Sequence, residues 1–422
     1  MRNSYNILIG TTDVPRNNLG GPGKFAPYLF KILKLNFGKE FNFWGYFNGK
    51  FVSNYDDIIF MDKYLVKNKA KYKDFLKKYM VYLPYFSYIY KLKFKIHNYL
   101  LIKKIKDELK QKKLNFDILH LHCFNSVYLF KDMNTKIIFT NHYKGSLYQE
   151  YIRYLPGMNK KQYEKLFKSI EISAIKRADI ITFPSKSAMN LLIEDYPNLK
   201  KEIEEKAHII YSGIPDIYSL YIGNNKIISN DINDIKIILN ISNHIPDKNI
   251  ELSILLFREL LKYDKKIKFV NVGAFGPETQ KLKSLAKDLG IEDKIEFKGI
   301  IPYDDLIKLI ASSYIVLHTP KRVVFDLSVL EVMSFGKPLI ITNVLGNREA
   351  VGDDYPLLID LDVSVNDIMK SKKKYIESLF NNIEFRRNLS LYLRKRFLQN
   401  FTDLKMAESY YLLYEQMLRK KV

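Results

Sequence analysis

The chain has 422 residues, of which 47% are hydrophobic and 14% aromatic. A chain of this length exceeds the size at which one core keeps growing, so the composition predicts two globular domains. The formal net charge of +22 favours nucleic acid, an anionic membrane or an acidic substrate as partner. Cys123 is the only cysteine, which excludes internal disulfides and cysteine-rich metal sites. Without an 18-residue apolar run or a signal-peptide pattern, a cytoplasmic protein is expected.

The N-terminal half has the pattern of buried strands separated by helices. Tyr5–Thr12 is apolar and short, and it precedes a loop with Gly20, Gly21 and Gly23 that leads into a helical pattern. A strand, a glycine loop and a helix open an α/β unit. Further strands are predicted at Asp117–Phe124, Lys136–His142, Asp179–Ser185 and His208–Gly213.

Residues 62–113 interrupt this alternation with a basic, aromatic helical insert. They contain 16 lysines against four acidic residues, with a tyrosine-rich apolar centre around Pro84. Lysine flanks and interfacial aromatic rings suit an anionic membrane surface. A solvated pair of helices that covers the sheet explains the same pattern equally well.

A polar stretch over 221–235 predicts a linker, after which the alternation restarts. Short β-branched segments of this kind are typical of strands covered on both faces. They lie at Lys236–Ser242, Lys268–Gly276, Lys294–Ile300, Tyr314–Pro320 and Lys337–Thr342. The predicted fold class is therefore α/β, with two Rossmann-like domains whose parallel sheets face a deep interdomain cleft.

The segment Lys321–Glu349 carries the strongest functional signal. A helix is predicted with Ser328 and Val329 in its first turn, where backbone N–H groups and the positive end of the dipole favour phosphate oxygens. Glu331, one turn later, can accept hydrogen bonds from the vicinal hydroxyls of a ribose. Gly336 is expected to end the helix before the next strand. The simpler alternative is an ordinary helix with one solvated glutamate.

Several motifs in this order resemble the retaining glycosyltransferases of family 4, which have the two-domain GT-B architecture. They include LGGPGK, DILHLH, FTNHYKG, RADIITFPSKSAMNLL, IIYSGIPD, HIPDKN, VGAFGPE, IEDKIEFKGII and LSVLEVMSFGKP followed by GNRE. The resemblance implies an acceptor-binding domain over 1–215, a nucleotide-sugar-binding domain over 216–400 and a helix over 401–422 that returns to the first. It also implies a UDP- or GDP-sugar as donor substrate, with no cofactor and no metal.

The resemblance assigns roles to individual residues. Glu331 matches the glutamate that binds the ribose, and Lys248 matches the lysine that neutralises the departing diphosphate. Gly20 and Gly21 match a loop that approaches the phosphates, and His142 matches a histidine on the acceptor side of the reacting sugar. The other expected donor contacts are Asn243, Gly299, Ile300, Arg322, Ser328, Val329 and Leu330.

The chain departs from the family pattern around this donor site. Val323 stands where the motif has its first glutamate, Asp326 where it has a glycine, and Asn243 where it has an arginine. Because a carboxylate repels phosphate, Asp326 is expected to cap the helix with its side chain turned away. Lys321, Arg322 and Arg348 are candidates to restore the missing positive charge.

Histidines near the strand ends differ in their expected roles. His120 and His122 share one face of a strand, but no carboxylate or third histidine lies near them in sequence, so a structural role is expected. His142 ends its strand beside a loop, where polar groups are more often functional.

The leading functional hypothesis is transfer of a sugar to a hydroxyl of a glycan or lipid-linked acceptor in cell-surface polysaccharide or glycolipid synthesis. It places the protein in the cytoplasm, peripheral at the inner membrane face through 62–113. The alternative is a catalytically degenerate GT-B protein that binds nucleotide-sugar or partners an active transferase. Binding of nucleic acid rests on charge alone and is not expected.

Overall fold

The computed structural model describes residues 5–11, 22–47, 49–58, 99–149, 160–223 and 235–419. The chain forms two compact units. The N-terminal unit comprises 1–210 together with 407–422, and the C-terminal unit comprises 211–406. Gly20, Gly21, most of the basic insert and most of the predicted linker lie outside the described residues.

The N-terminal unit is built on a seven-stranded sheet in the order β3-β2-β1-β4-β5-β6-β7. All neighbouring strands run parallel except β2 and β3, which pair antiparallel. The central strands are buried because helices cover both faces of such sheets. The strands are β1 Tyr5–Gly10, β2 Phe41–Phe47, β3 Lys50–Val52, β4 Ile118–Leu121, β5 Lys136–Thr140, β6 Ile180–Phe183 and β7 Ala207–Ile209.

Six named helices belong wholly or mainly to this unit, and residues 99–111 are helical as well. They are α1 Pro22–Phe37, α2 Phe124–Phe130, α3 Lys160–Arg177, α4 Lys186–Asp195, α5 Lys200–Lys206 and the last helix, α15 Asp403–Arg419. Ser185 caps α4, since its hydroxyl accepts a hydrogen bond from the Ala188 amide at 3.0 Å. Ser185 therefore fixes where β6 ends and α4 begins.

The C-terminal unit has a six-stranded, all-parallel sheet in the order β10-β9-β8-β11-β12-β13. Its strands are β8 Lys236–Ile241, β9 Ile267–Val272, β10 Ile295–Phe297, β11 Ser313–His318, β12 Leu339–Thr342 and β13 Leu358–Ile359. Its helices are α6 Ile217–Gly223, α7 Ile250–Leu260, α8 Thr279–Asp288, α9 Tyr303–Ser312, α10 Leu327–Ser334, α11 Leu345–Val351, α12 Val365–Ser371, α13 Lys373–Asn381 and α14 Ile383–Asn400.

Helix α10 ends as its sequence predicts. Gly336 has a φ of +61°, a left-handed conformation that costs glycine little and other residues more. A Cβ at Gly336 would also lie 2.7 Å from the carbonyl oxygen of Ser390 on α14. The turn therefore combines a backbone requirement with close packing against α14.

The antiparallel hairpin of β2 and β3 is an element that the sequence patterns did not predict. Its strands pair Gly45 with Val52 and Phe47 with Lys50. A strand of three residues, such as β3, is too short to show the alternation that identifies a strand. The terminal strand β13 was not predicted for the same reason, because it has only two residues.

The last helix joins the N-terminal unit through its second half. Thr402 precedes it and its hydroxyl accepts from the Lys405 amide at 3.2 Å, so Thr402 caps the helix. The Tyr411 ring stacks on Phe37 of α1 with centroids 4.4 Å apart, and the Lys136 ammonium donates to the carbonyl of Met417. This helix is thus part of the core around β4 and β5.

Candidate active site

Each sheet has one point where the strand order reverses, and several of the predicted site residues lie beside it. In the C-terminal unit the chain proceeds outward from β8 to β10 on one side and from β11 to β13 on the other. Ligands of open α/β sheets bind at the carboxyl ends of the strands at such a switch point. The loops that follow β8 and β11 carry Lys248 and Asp326.

These two loops are joined by direct hydrogen bonds. The Lys321 amide donates to the carbonyl of Asp247 at 2.8 Å, and the Thr319 hydroxyl donates to the carbonyl of Asn249 at 2.9 Å. Asn249 has a φ of +47°, so the chain turns sharply after the 3-10 turn Pro246–Lys248. The turn therefore holds Lys248 against the loop before α10.

The Lys248 ammonium forms an ion pair with Oδ2 of Asp326. Both side chains are about one-fifth exposed, at 20% and 19%. Asp326 occupies the N-cap position of α10, but its side chain makes no capping hydrogen bond. The expectation that this carboxylate turns away to cap the helix is wrong, because the nearby ammonium attracts it more strongly than neutral backbone amides do.

His318, at the end of β11, completes this cluster. Its Nε2 lies 3.5 Å from Oδ2 of Asp326, and its side chain is only 3% exposed. Burial lowers the pKa of His318 to about 4, the Lys248 ammonium adds to the shift and the Asp326 carboxylate opposes it. The imidazole is therefore neutral at physiological pH. The sequence-based predictions did not include His318, although a polar residue at the carboxyl end of a buried strand is the signal used for His142.

The first turn of α10 lies beside this cluster. Val329 and Leu330 bury their side chains in the core, whereas Ser328 is half-buried. The Val329 amide donates to the carbonyl of Asp326 at 3.1 Å, so it is less available to a ligand than the sequence suggested. The prediction that these residues contact a donor through their amides is not tested by this geometry.

Glu331 lies one turn further along α10 and is half-buried. The Tyr303 hydroxyl, from the first turn of α9, donates to its Oε1 at 3.1 Å. This bond uses one of the about four hydrogen bonds that an ionised carboxylate can accept. Its predicted role as a ribose acceptor stays a prediction.

Asn243 lies in the loop after β8, and Gly299 and Ile300 follow β10. Oδ1 of Asn243 accepts from the Ala274 amide at 2.7 Å, so this side chain orders the loop after β9. Gly299 has a φ of +69°, and a Cβ there would lie 3.2 Å from the Phe275 ring. Phe275 and Ile300 are exposed by 56% and 67%, so this edge offers apolar surface.

Among the basic candidates for the missing charge, Arg348 already has an acidic neighbour. Its Nε donates to Oδ1 of Asp353 at 2.6 Å on an exposed surface. Arg322 is half-buried and Lys321 is exposed. Lys248 is therefore the cation that the described geometry ties most directly to the switch point.

Three histidines gather at the switch point of the N-terminal unit, between β1 and β4. Nδ1 and Nε2 of His120 lie 2.7 Å from the Tyr414 hydroxyl and 2.6 Å from the Thr140 hydroxyl. Nδ1 of His122 lies 3.0 Å from Nε2 of His142. The two neutral hydroxyl partners of His120 agree with the structural role expected of it. The contact between His142 and His122 was not predicted from the sequence.

Burial keeps these histidines neutral. It lowers the pKa of His120 and of His142 to about 3, and it holds the pKa of His122 well below its ordinary value. The Phe25 ring packs at 4.6 Å from the His142 ring, which adds to the apolar surroundings. A neutral imidazole can donate or accept one hydrogen bond to a sugar hydroxyl, but it carries no charge.

Two carboxylates hold the loop that follows His142. Oδ2 of Asp195 accepts from the Ser146 amide at 2.6 Å, and Oε1 of Glu171 accepts from the Leu147 amide. The other oxygen of Glu171 accepts from the Tyr196 hydroxyl at 2.6 Å. Burial raises the pKa of Glu171 to about 7, although the hydrogen bonds that its carboxylate accepts oppose the shift.

Other predicted features lie elsewhere or outside the described residues. A cavity of about 810 Å³ in the N-terminal unit is lined by Asn6, Phe41 and Asn115 near the amino ends of β1 and β2, and it contains none of the predicted site residues. Within the described ranges no group of three or more histidine, cysteine or acidic side chains is arranged to hold a metal ion. Those ranges also contain no helix that is long and apolar enough to span a membrane.

Solved structures share this fold. The Anabaena protein HepE in complex with UDP aligns at a TM-score of 0.63 and 13% identity, covering 97% of this chain and 100% of that one. A glycosyltransferase from Rickettsia africae aligns at 0.64 and 16% identity, covering 99% and 100%. The two Rossmann-like sheets and these neighbours define a GT-B fold.

Sequence comparisons identify the family. The model described as "Glycosyl transferases group 1" matches residues 224–396, and the model described as "Glycosyltransferase Family 4" matches residues 69–216. The chain belongs to the group 1 and family 4 glycosyltransferases of the GT-B class. This confirms both the resemblance and the fold class that the sequence predicted.

Curated relatives align over parts of their length. An uncharacterized glycosyltransferase of Methanocaldococcus jannaschii is 26% identical over 59% of this chain and 62% of its own. An N-acetyl-alpha-D-glucosaminyl L-malate synthase of Bacillus anthracis is 29% identical over 44% and 46%. A component of the phosphatidylinositol N-acetylglucosaminyltransferase of Arabidopsis thaliana is 26% identical over 35% and 32%. The alignments thus span between one third and three fifths of these relatives.

Proposed function

We propose that this protein is a retaining, metal-independent hexosyltransferase. It moves a sugar from a UDP- or GDP-sugar to a hydroxyl of a glycan or lipid-linked acceptor, in the synthesis of a cell-surface polysaccharide or glycolipid. The observation that carries this proposal is the position of Lys248, at the switch point of the C-terminal sheet and beside the first turn of α10.

The proposed reaction needs a cation where the diphosphate leaves. The bond between the anomeric carbon and the diphosphate oxygen breaks, and a bond from the acceptor oxygen to the same carbon forms on the same face. The acceptor's proton goes to the departing phosphate oxygen or to solvent. Negative charge builds on the phosphate oxygen, and preplaced ammonium and N–H donors stabilise it. Lys248 and the first turn of α10 would supply these groups.

The names of relatives and neighbours support the substrate classes. HepE was solved with UDP-glucose, and further relatives are named GDP-Man:Man(3)GlcNAc(2)-PP-Dol alpha-1,2-mannosyltransferase. The first is a complex with a nucleotide-sugar, and the second names a lipid-linked acceptor. We therefore propose a nucleotide-sugar donor and treat UDP- and GDP-sugars as the two candidates.

A panel of UDP- and GDP-sugars tests the proposal. Released UDP or GDP is measured with and without crude glycan and lipid acceptors, and the anomeric configuration of the product is read by NMR. The experiment is repeated with a chelator. Turnover with retained configuration that survives chelation is expected. An inverted product would refute retention, and loss of activity that added metal restores would refute metal independence.

A specific observation favours the alternative, a degenerate protein that binds a nucleotide-sugar without catalysis. Val323 is buried where the family motif has a glutamate, and Asp326 already pairs with Lys248. A protein of this kind would bind a nucleotide-sugar in calorimetry and release no UDP or GDP at any acceptor concentration. That outcome would favour the alternative over catalysis.

The proposed location at the inner membrane face rests on the composition of 62–113. Most of this segment lies outside the described residues, while its end, 99–111, is helical and exposes Tyr99 and Leu100. Exposed aromatic and apolar residues among lysines favour an anionic lipid surface. Co-sedimentation with phosphatidylserine vesicles is expected at low salt and should be lost at high salt. A protein that stays in the supernatant at low salt would refute the location.

A further inference from the structure

His318, at the proposed donor site, carries a buried nitrogen without a hydrogen-bond partner among the described residues. Its imidazole is 3% exposed and therefore screened from water. Within the part of the chain that the structure describes, its Nε2 has no hydrogen-bond partner. A buried polar atom without a partner costs about 1–3 kcal/mol, so its retention calls for an explanation.

The nearest charged atom to this nitrogen is also the atom that holds Lys248. Oδ2 of Asp326 lies 3.5 Å from Nε2 of His318 and accepts the ion pair from the ammonium. Asp326 and Lys248 are the charged side chains that act on the imidazole, and its partner in register on β12 is the apolar Ile341. With His318 neutral, the ammonium and the carboxylate cancel each other's charge.

An anion that binds Lys248 disturbs this balance. A phosphate oxygen at the ammonium competes with Oδ2 of Asp326 and brings like charge close to the carboxylate. Like charges in a partly buried site favour protonation of one member. An imidazolium at His318 would donate to Oδ2, neutralise the carboxylate that Lys248 released and satisfy the unpartnered nitrogen.

We propose that binding of a diphosphate at Lys248 is coupled to the uptake of one proton by the His318–Asp326 pair. The inference rests on the proposed donor site and adds that binding at this site depends on pH. The proton comes from solvent when the diphosphate binds and returns to solvent when the diphosphate leaves. The pair shares the proton, so the coupling belongs to both residues together. Asp326 is thus a competitor that the ligand displaces, rather than a fixed ligand of the ammonium.

Two consequences distinguish this coupling from simple charge pairing. Affinity for a diphosphate falls as pH rises, by up to about tenfold per pH unit while one proton is taken up. Removing the carboxylate charge abolishes the competition, so Asp326→Asn should bind the diphosphate more tightly and without the linked proton. A purely structural Asp326 predicts the opposite change in affinity.

Calorimetry of the full chain with UDP and with inorganic pyrophosphate tests the coupling. Titrations at pH 7 in buffers of different ionisation enthalpy give the number of protons taken up. The wild-type protein should take up about one proton more than His318→Gln or Asp326→Asn, because both variants remove the shared site. His208→Gln, which removes an imidazole on β7, is the matched control and should behave as wild type. Differences between the variants cancel the protonation of the ligands themselves.

Equal proton numbers in the wild type and in a folded His318→Gln or His318→Asn variant would overturn the inference. If neither His318 variant folds, a wild-type proton number that matches Asp326→Asn overturns it as well. Weaker binding by Asp326→Asn would show that the carboxylate positions Lys248 instead. Pyrophosphate binding with linked proton uptake but no sugar transfer would sustain the inference and refute the proposed function. Sugar transfer without linked proton uptake would support the proposed function and overturn the inference.

Discussion

The two switch points of this protein place buried histidines in similar positions with different electrostatic surroundings. In the N-terminal unit, His120 meets the hydroxyls of Tyr414 and Thr140, and His122 meets His142. In the C-terminal unit, His318 faces the ion pair of Asp326 and Lys248. Burial keeps both groups neutral, but His318 also has an ion pair beside it.

This difference separates two kinds of chemistry at the ends of parallel strands. Neutral histidines and hydroxyls suit the recognition of sugar hydroxyls, which carry no charge. A cation held by a displaceable carboxylate suits an anionic ligand such as a diphosphate. The same fold can therefore recognise both classes of group by changing only the residues that follow each strand.

The largest expected effect comes from removing the Lys248 ammonium at the switch point of the C-terminal unit. Lys248→Met should lower kcat by about 10²–10³-fold, since a preplaced donor at a developing oxyanion contributes about that much. Single-turnover kinetics with the donor identified by the panel measures it. Lys262→Met, which removes an exposed lysine paired with Glu259, is the control and should keep wild-type rates. Equal rates for both variants would show that Lys248 does not take part in catalysis.

A pH-dependent effect on stability is expected from Glu171, which holds the loop that follows His142. Burial raises the pKa of Glu171 to about 7 from the ordinary 4.5, so the folded protein keeps a proton that the unfolded chain releases. The resulting stability is fully present below pH 4.5 and is lost as pH rises through about 7.

Glu171→Gln tests this effect, because the amide can still accept from the Leu147 amide but does not titrate. The free energy of unfolding of the wild type relative to the variant should fall by about 3 kcal/mol across this range. Urea denaturation from about pH 5 to about pH 8 measures the difference. A constant difference between the two proteins would show that Glu171 titrates normally.

A smaller loss of stability is expected from the hydroxyl that holds His120. Tyr414→Phe leaves Nδ1 of His120 buried without its partner at 2.7 Å, which should cost about 1–2 kcal/mol. The matched control is Tyr411→Phe, whose hydroxyl reaches Glu415 on the same helix and should change stability by less than about 0.5 kcal/mol. Thermal unfolding of both variants measures the contrast. Equal shifts would mean that the buried hydrogen bond contributes nothing specific.

The smallest expected effect concerns Glu331. Tyr303→Phe removes the hydroxyl that donates to its Oε1, so the carboxylate gains freedom and nucleotide affinity should fall by about two- to fivefold. Calorimetry with UDP or GDP measures the affinity, and Tyr375→Phe on α13 serves as the exposed control. An unchanged affinity would show that Tyr303 does not position Glu331.

Much of the fold could be predicted because its signals are local. The strand that precedes His142 and the glycine that ends α10 follow from short apolar runs and turn chemistry. The hairpin of β2 and β3 was missed, since its pairing depends on contacts between segments rather than on either segment alone. The glycine loop with Gly20 and Gly21 remains a sequence-based prediction outside the described residues.

The candidate site shows the same contrast between local sequence signals and contacts between distant segments. Lys248, Glu331 and His142 were selected from motifs, and the structure places each at or beside a switch point. His318 was overlooked and Asp326 was given the wrong partner. Helix-cap preference describes a residue's neighbours in sequence, whereas Lys248 approaches Asp326 from a different loop.

By itself, the sequence determined the two α/β halves, the positions of most strands along the chain and the family to which the chain belongs. These properties depend on periodic burial and on turn residues, which act over a few positions. Only the tertiary structure decided which charges meet, because ion pairs and buried hydrogen bonds join residues far apart in the chain. The Lys248–Asp326–His318 cluster and the contacts of His120 with Tyr414 are of this second kind.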